Sequence, residues 1–210
     1  MKKLVLGATA ALGLLIGQVQ AGVIFSFTES NGDVIMTSSG TLDVSGLVSQ
    51  GLSGWGDGGI QNTVSLGSDA MGDTTIGSLD QSFGFNAETD LSPWYGDMFF
   101  ISNFDWITTG TTQFATYYWD SSEIMPGIGL SSADLVGDIW TPDVSWVQTG
   151  TFASIGLTEG DYTITDALTG EFISIQIGNV ATPPLPVPEP ASVALLGLSL
   201  LGFGVAKRKK

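Results

Sequence analysis

Between Leu4 and Ala206 the chain contains no Lys, no Arg, no His and no Cys. All six basic residues lie at the two ends: Lys2 and Lys3 at one, Lys207, Arg208, Lys209 and Lys210 at the other. Twenty of the twenty-one acids fall between residues 22 and 180, so that body carries a charge of about −20. A fold built from it has no side-chain salt bridge and no disulfide, and must be held by apolar burial and neutral hydrogen bonds. Uniform negative charge repels itself, which favours solubility and costs stability. Spacing, salt screening or bound divalent cations are the available remedies.

The missing residue types exclude whole classes of chemistry. Without His or Lys no Ser-His-Asp or Ser-Lys nucleophile can be assembled, and without Cys no thiol catalysis. Zinc and copper sites built on His or Cys are excluded too. Nucleic acid is excluded as a partner, because phosphate neutralisation needs Lys or Arg. A carboxylate pair of the glycosidase kind is the one common catalytic device left. With so many acids such pairs are unspecific, and the expectation is a non-enzymatic protein.

The two ends read as membrane signals. Lys2 and Lys3 precede an apolar core, Leu4–Ile16, and Val19-Gln20-Ala21 offers a cleavage site before Gly22. Residues 1–21 are therefore expected to be a signal peptide removed by signal peptidase. At the far end, residues 181–187 form a Pro-rich linker, and Pro188-Glu189-Pro190 stays extended because each proline disfavours helix before it. Residues 191–206 are uncharged and would span about 24 Å as a helix, short of the roughly 30 Å hydrocarbon core. Snorkelling of the flanking Lys side chains and local thinning accommodate the shortfall. The basic residues Lys207–Lys210 are expected to remain cytoplasmic.

Val187-Pro188-Glu189-Pro190-Ala191-Ser192, the Leu/Gly-rich run Ala194–Gly204 and the basic end together resemble the PEP-CTERM sorting signal of bacterial surface proteins. The resemblance covers about a tenth of the chain. It implies recognition of Pro188, Glu189 and Pro190 by exosortase, a membrane cysteine protease-transpeptidase. It also implies an inner-membrane intermediate, then delivery to the cell surface or extracellular matrix of a Gram-negative bacterium that makes exopolysaccharide. The family's usual tail is Arg-rich; this one has three Lys and one Arg, which keeps the charge.

The body, residues 22–180, is long enough for one core. Its apolar residues alternate with period two and no helical period exceeds two turns, which predicts an all-β fold. Val23–Thr28 and Val34–Thr37 flank Asn31-Gly32, a hairpin signal, and Thr41–Val44 continues the run. Residues 45–72 are Gly-rich and are expected to be a long surface loop. Further strands are expected at Thr74–Ile76, Phe83–Phe85, Met98–Ile101, Gln113–Trp119 and Gly150–Ile155, with short helical turns at Ser92–Trp94 and Ser132–Val136. Asp161–Thr165 and Glu171–Ile177 form a closing hairpin with Gly170 at its turn. The expected architecture is an antiparallel β-sandwich, jelly-roll-like.

Two ligand readings attach to this body. Trp55, among glycines, and Trp94-Tyr95, beside Pro93, are the rings best placed for display to a neutral glycan. The alternative is that they plug the core, as large rings usually do. Asp57, Asp69 and Asp73 lie in or beside the Gly-rich stretch and could offer oxygen ligands to calcium. Their spacing fits no known loop, and solvated acids are the simpler account. The functional expectation is a structural or adhesive surface component associated with exopolysaccharide or biofilm, with a carbohydrate-binding module and a carboxylate glycan hydrolase as alternatives.

Overall fold

The computed structural model describes residues 21–50, 55–63, 68–94, 98–117 and 127–178. The expected signal peptide up to residue 20, the expected linker, Pro188–Pro190, the apolar run and the basic tail lie outside these residues. Among the described residues no helix is long and apolar enough to cross a membrane.

The strands are β1 (Gly22–Ser30), β2 (Asp33–Asp43), β3 (Val48–Ser49), β4 (Gly58–Thr63), β5 (Ser68–Asp73), β6 (Gln81–Gly84) and β7 (Ile107–Gly110). They continue with β8 (Phe114–Tyr117), β9 (Gly127–Leu130), β10 (Leu135–Val136), β11 (Ile139–Trp140), β12 (Val144–Thr149), β13 (Gly160–Thr165) and β14 (Phe172–Ile177). One sheet runs β10-β11-β2-β1-β14-β13, with β12 also on β2 and β7 on β12; the other runs β3-β6-β9-β8-β5-β4. The described residues are therefore predominantly β, in two antiparallel-rich sheets.

The first hairpin forms as its sequence dictates. Asn31 and Gly32 adopt φ of 55° and 88°, the pair of positive values a two-residue turn needs, and Ser30 faces Asp33. Val23, Phe25 and Phe27 are fully buried on one face of β1. A wholly antiparallel arrangement is corrected at one place: β1 lies antiparallel to β2 but parallel to β14, Gly22 facing Phe172 and Phe27 facing Ile177. The body's first and last strands are thus neighbours. β2 is long enough to serve two partners on its other side, β12 along Asp33–Thr37 and β11 at Leu42–Asp43.

The sheets meet through rings. Phe25 stacks on Phe114 at 4.5 Å between centroids, and Phe114 lies 6.0 Å from Trp146 and 6.1 Å from Trp140. Trp106 extends the cluster at 5.6 Å from Trp146 and 5.9 Å from Phe27. Such rings bury large apolar area and orient one another edge-to-face or offset, which suits a core lacking ion pairs.

Several expected elements are corrected. The supposed loop over 45–72 contains β3, β4 and β5, with Ile60 and Met71 fully buried. Glycines 58, 59 and 72 leave gaps in the apolar alternation, which hid those strands. Thr74–Ile76 is the turn after β5, held by Thr75 N–H on Asp73 Oδ1. Met98–Ile101 makes only an isolated bridge, Phe99 to Leu157, and buries two consecutive residues before exposing two. Gly150–Ile155 is a turn entering a 3-10 segment, Ala153–Ile155, and the strand is the preceding Val144–Thr149. Ser132–Val136 is a 3-10 turn, Ser132–Asp134, leading into β10. The 3-10 turn at Ser92–Trp94 and the closing hairpin, with Gly170 at φ 77°, form where expected.

Candidate functional site

Trp55 is half-buried, and both readings of it meet in the structure. Its indole N–H donates to the Asp57 carbonyl at 3.1 Å, and a Cβ on Gly72 would lie 2.6 Å from Trp55 Nε1. Only glycine at 72 lets the ring settle on the β5 backbone. On its other side Phe104 stands 6.1 Å away, 40% exposed. Phe104 is held because Asn103 exchanges two backbone hydrogen bonds with Ile60 at the edge of β4, 2.9 and 2.8 Å long. Phe100 and Ile101, on the same connection, are 57% and 53% exposed. Among the described residues Phe100 and Phe104 are the exposed rings, and half-buried Trp55 stands beside Phe104. The sequence gives no display signal for Phe100, because Met98–Ile101 reads as a buried strand, nor for Phe104, three residues beyond it.

Trp94 is not among them. It is 2% exposed, and its indole N–H donates to the Tyr162 carbonyl at 2.9 Å beneath β13. A ring with no open face cannot stack on a sugar, so the display reading is corrected for Trp94. Tyr95 lies outside the described residues.

The acids proposed for calcium are only partly brought together. The β4–β5 register sets Gly58 opposite Asp73 and so brings Asp57 to the same end of the hairpin. Asp73 is buried, and its carboxylate is occupied: Oδ2 accepts from Trp146 Nε1 at 2.7 Å, Oδ1 from Thr75 N and Oγ1 at 3.1 and 2.8 Å. Asp57 Oδ1 accepts from Gly58 N at 2.9 Å. Asp69 faces Asn62 in the ladder, and its side chain lies outside the described residues. Among the described residues no three acids are grouped to hold a metal ion. A cleft of about 30 Å³ beside Asp73, lined by Thr75, Thr108, Thr112 and Val144, has room for about one water.

A second group of carboxylates, not singled out in the sequence, closes the far end of the first sheet. Asp166, 2% exposed, accepts from Asn86 N and Nδ2 on one oxygen, and from Leu168 N, Thr169 N and Thr169 Oγ1 on the other. Burial works to raise its pKa, but the Asn86 and Thr169 donors together outweigh it and hold the carboxyl below its ordinary range. Glu171, 8% exposed, is pushed upward, first by burial and then by the charges of Asp43 and Asp166, against the Asp43 backbone N–H. That N–H donates to Glu171 Oε2 at 3.0 Å. The sequence signal for this corner is an Asp and a Glu flanking a four-residue turn that contains Thr169 and Gly170.

Of the residues expected at the leader cleavage site, Val19 lies outside the described residues, Ala21 is half-buried and Gly22 opens β1. A Cβ on Gly22 would lie 2.2 Å from the Phe172 ring, so that ring occupies the space. Pro188, Glu189, Pro190, Lys207, Arg208, Lys209 and Lys210 lie outside the described residues.

The family model for the PEP-CTERM protein-sorting motif matches residues 186–209. No curated protein and no solved structure matches the chain. The motif supports export, exosortase processing and a membrane-anchored intermediate.

Proposed function

We propose, from the sorting motif at residues 186–209, that this protein is an exported structural component of the cell surface or extracellular matrix. It is delivered by exosortase and associates with exopolysaccharide or biofilm in a Gram-negative bacterium. The order of Pro188-Glu189-Pro190, apolar run and basic tail carries this reading, because a permanent anchor has no physical need for two prolines beside a short span. The role is non-enzymatic: Asp73 and Asp166 have both carboxylate oxygens occupied by donors of the protein itself, which leaves them poorly suited to acid-base work. The test is Glu189→Ala in the exporting cell. Unprocessed protein should accumulate in the membrane; normal release overturns the reading.

A second reading is carbohydrate binding, favoured by Trp55 and Phe104 side by side at the surface. The glycan would be neutral, since a body of about −20 repels a polyanion. Tryptophan fluorescence should then respond to a member of a neutral polysaccharide panel, and Trp55→Ala should abolish the response. Silence across the panel excludes this reading.

A further inference from the structure

β1 opens at Gly22, held between Thr41 of β2 and Phe172 of β14. Beyond Gly22 a side chain of the described residues crosses the line between these flanking strands. Glu171, the residue before Phe172, reaches from the β14 side to accept the backbone N–H of Asp43, two residues past Thr41 on the β2 side, at 3.0 Å. Its carboxylate therefore lies across the entry of β1, almost buried. The acids around it are Asp43, whose Oδ1 accepts from Ser45 N at 2.9 Å, and Asp166, already saturated by donors. No side chain between residues 22 and 180 carries a positive charge to answer them.

The geometry points to the chain's own new amino terminus as the missing cation: leader removal at Ala21–Gly22 places the Gly22 ammonium against Glu171 and so locks β1 into the sheet. The inference rests on the signal-peptide reading. Water adds to the Ala21 carbonyl, the C–N bond breaks, the leader keeps a carboxylate, and the Gly22 nitrogen leaves as an amine. That amine takes a proton near neutral pH, its ordinary pKa being about 7.7–8.0. Before cleavage the same nitrogen is an uncharged amide, and among the described residues Glu171 has only the Asp43 N–H. Afterwards a buried carboxylate gains an opposite charge, which removes the penalty of leaving it unpaired. The precursor is then the less stable form, and processing completes the fold.

The sign follows from linkage. Pairing raises the ammonium's pKa, so the stabilisation is full below about 7.7–8.0 and is lost as pH rises through the folded value. At the acid end it is lost when Glu171 protonates.

The experiment compares two exported proteins, the wild type and one with Ala-Ser-Ala-Ser inserted between Ala21 and Gly22, each with its amino terminus checked by mass. The insertion carries the new charge out of reach of Glu171 and leaves the body unchanged. It should lower the melting midpoint by about 3–6 °C at pH 7. The gap should close by about pH 10, beyond the ammonium's titration, and vanish in a Glu171→Gln background. Equal midpoints at pH 7, or a gap that persists at high pH, overturn the inference. The pH comparison decides alone if Glu171→Gln does not fold. A mass that still includes the leader overturns the signal-peptide reading itself, and the inference with it.

Discussion

Trp146 and Trp140 are both fully buried and both lie about one ring's width from Phe114, at 6.0 and 6.1 Å. Their indole N–H groups have opposite fates. Trp146 donates to Asp73 at 2.7 Å, while Trp140 Nε1 is buried with no acceptor among the described residues. Changing either ring to Phe removes similar volume. Trp146→Phe in addition strips a donor from a buried carboxylate, whereas Trp140→Phe deletes a group already paying its desolvation cost. Trp146→Phe should therefore be the more destabilising by about 2 kcal/mol, read as a midpoint about 4–8 °C lower. In an Asp73→Ala background that difference should shrink, because the acceptor is gone. Equal midpoints for the two single variants would show that the Asp73 contact contributes nothing net. Asp73 drew attention in the sequence as a calcium ligand, and its actual partner is 73 positions away, a pairing that no local spacing encodes.

The closing hairpin, β13 and β14, was legible because Tyr162, Ile164, Ile173 and Ile175 alternate and Gly170 marks the turn. What holds that turn was not, since the donors on Asp166 come partly from Asn86, in another element. All five groups facing the Asp166 carboxylate are donors. Asp166→Asn offers one oxygen and one NH₂, so at least one side of the turn meets donor with donor. It should cost about 1–3 kcal/mol at pH 7, measured by urea unfolding. The depressed pKa adds a pH signature. The wild-type contribution is present above the ordinary carboxyl value of about 3.9 and is lost as pH falls through the lower folded value. The gap between variant and wild type should therefore narrow below about pH 3. A gap independent of pH would mean that the carboxylate's charge has no part in it. The same contrast explains the misread elements. β1 and β2 show their pattern in large side chains, whereas β4 and β5 depend on Gly58, approached by Thr108, on Gly59, approached by Asn103 and Phe104, and on Gly72, approached by Trp55. Glycine marks contact there, and in a sequence it reads as loop.

At the scale of the whole molecule, about twenty negative charges sit on a body without a single basic side chain. The fold tolerates this by burying rings and by giving its interior acids neutral donors, Trp146 and Thr75 for Asp73, Asn86 and Thr169 for Asp166. The exposed acids keep their mutual repulsion, which acts over about 30 Å at 0.01 M salt and about 8 Å at 0.15 M. Folding concentrates charge that the unfolded chain spreads out, so salt stabilises the compact state. The melting midpoint should climb steadily from 0.01 to 0.15 M NaCl and then level off. A flat or falling response would mean that the surface acids lie too far apart to interact. Calcium at matched ionic strength should add nothing if the cation acts only by screening, as the absence of a three-acid group among the described residues leads one to expect. An extra rise specific to calcium would instead require a coordinated ion, and Asp69, whose side chain lies outside those residues, would be the first position to substitute. Either response bears on the matrix: a body stabilised by screening alone keeps its negative surface, while one that coordinates calcium could bridge to an acidic polymer that would otherwise repel it.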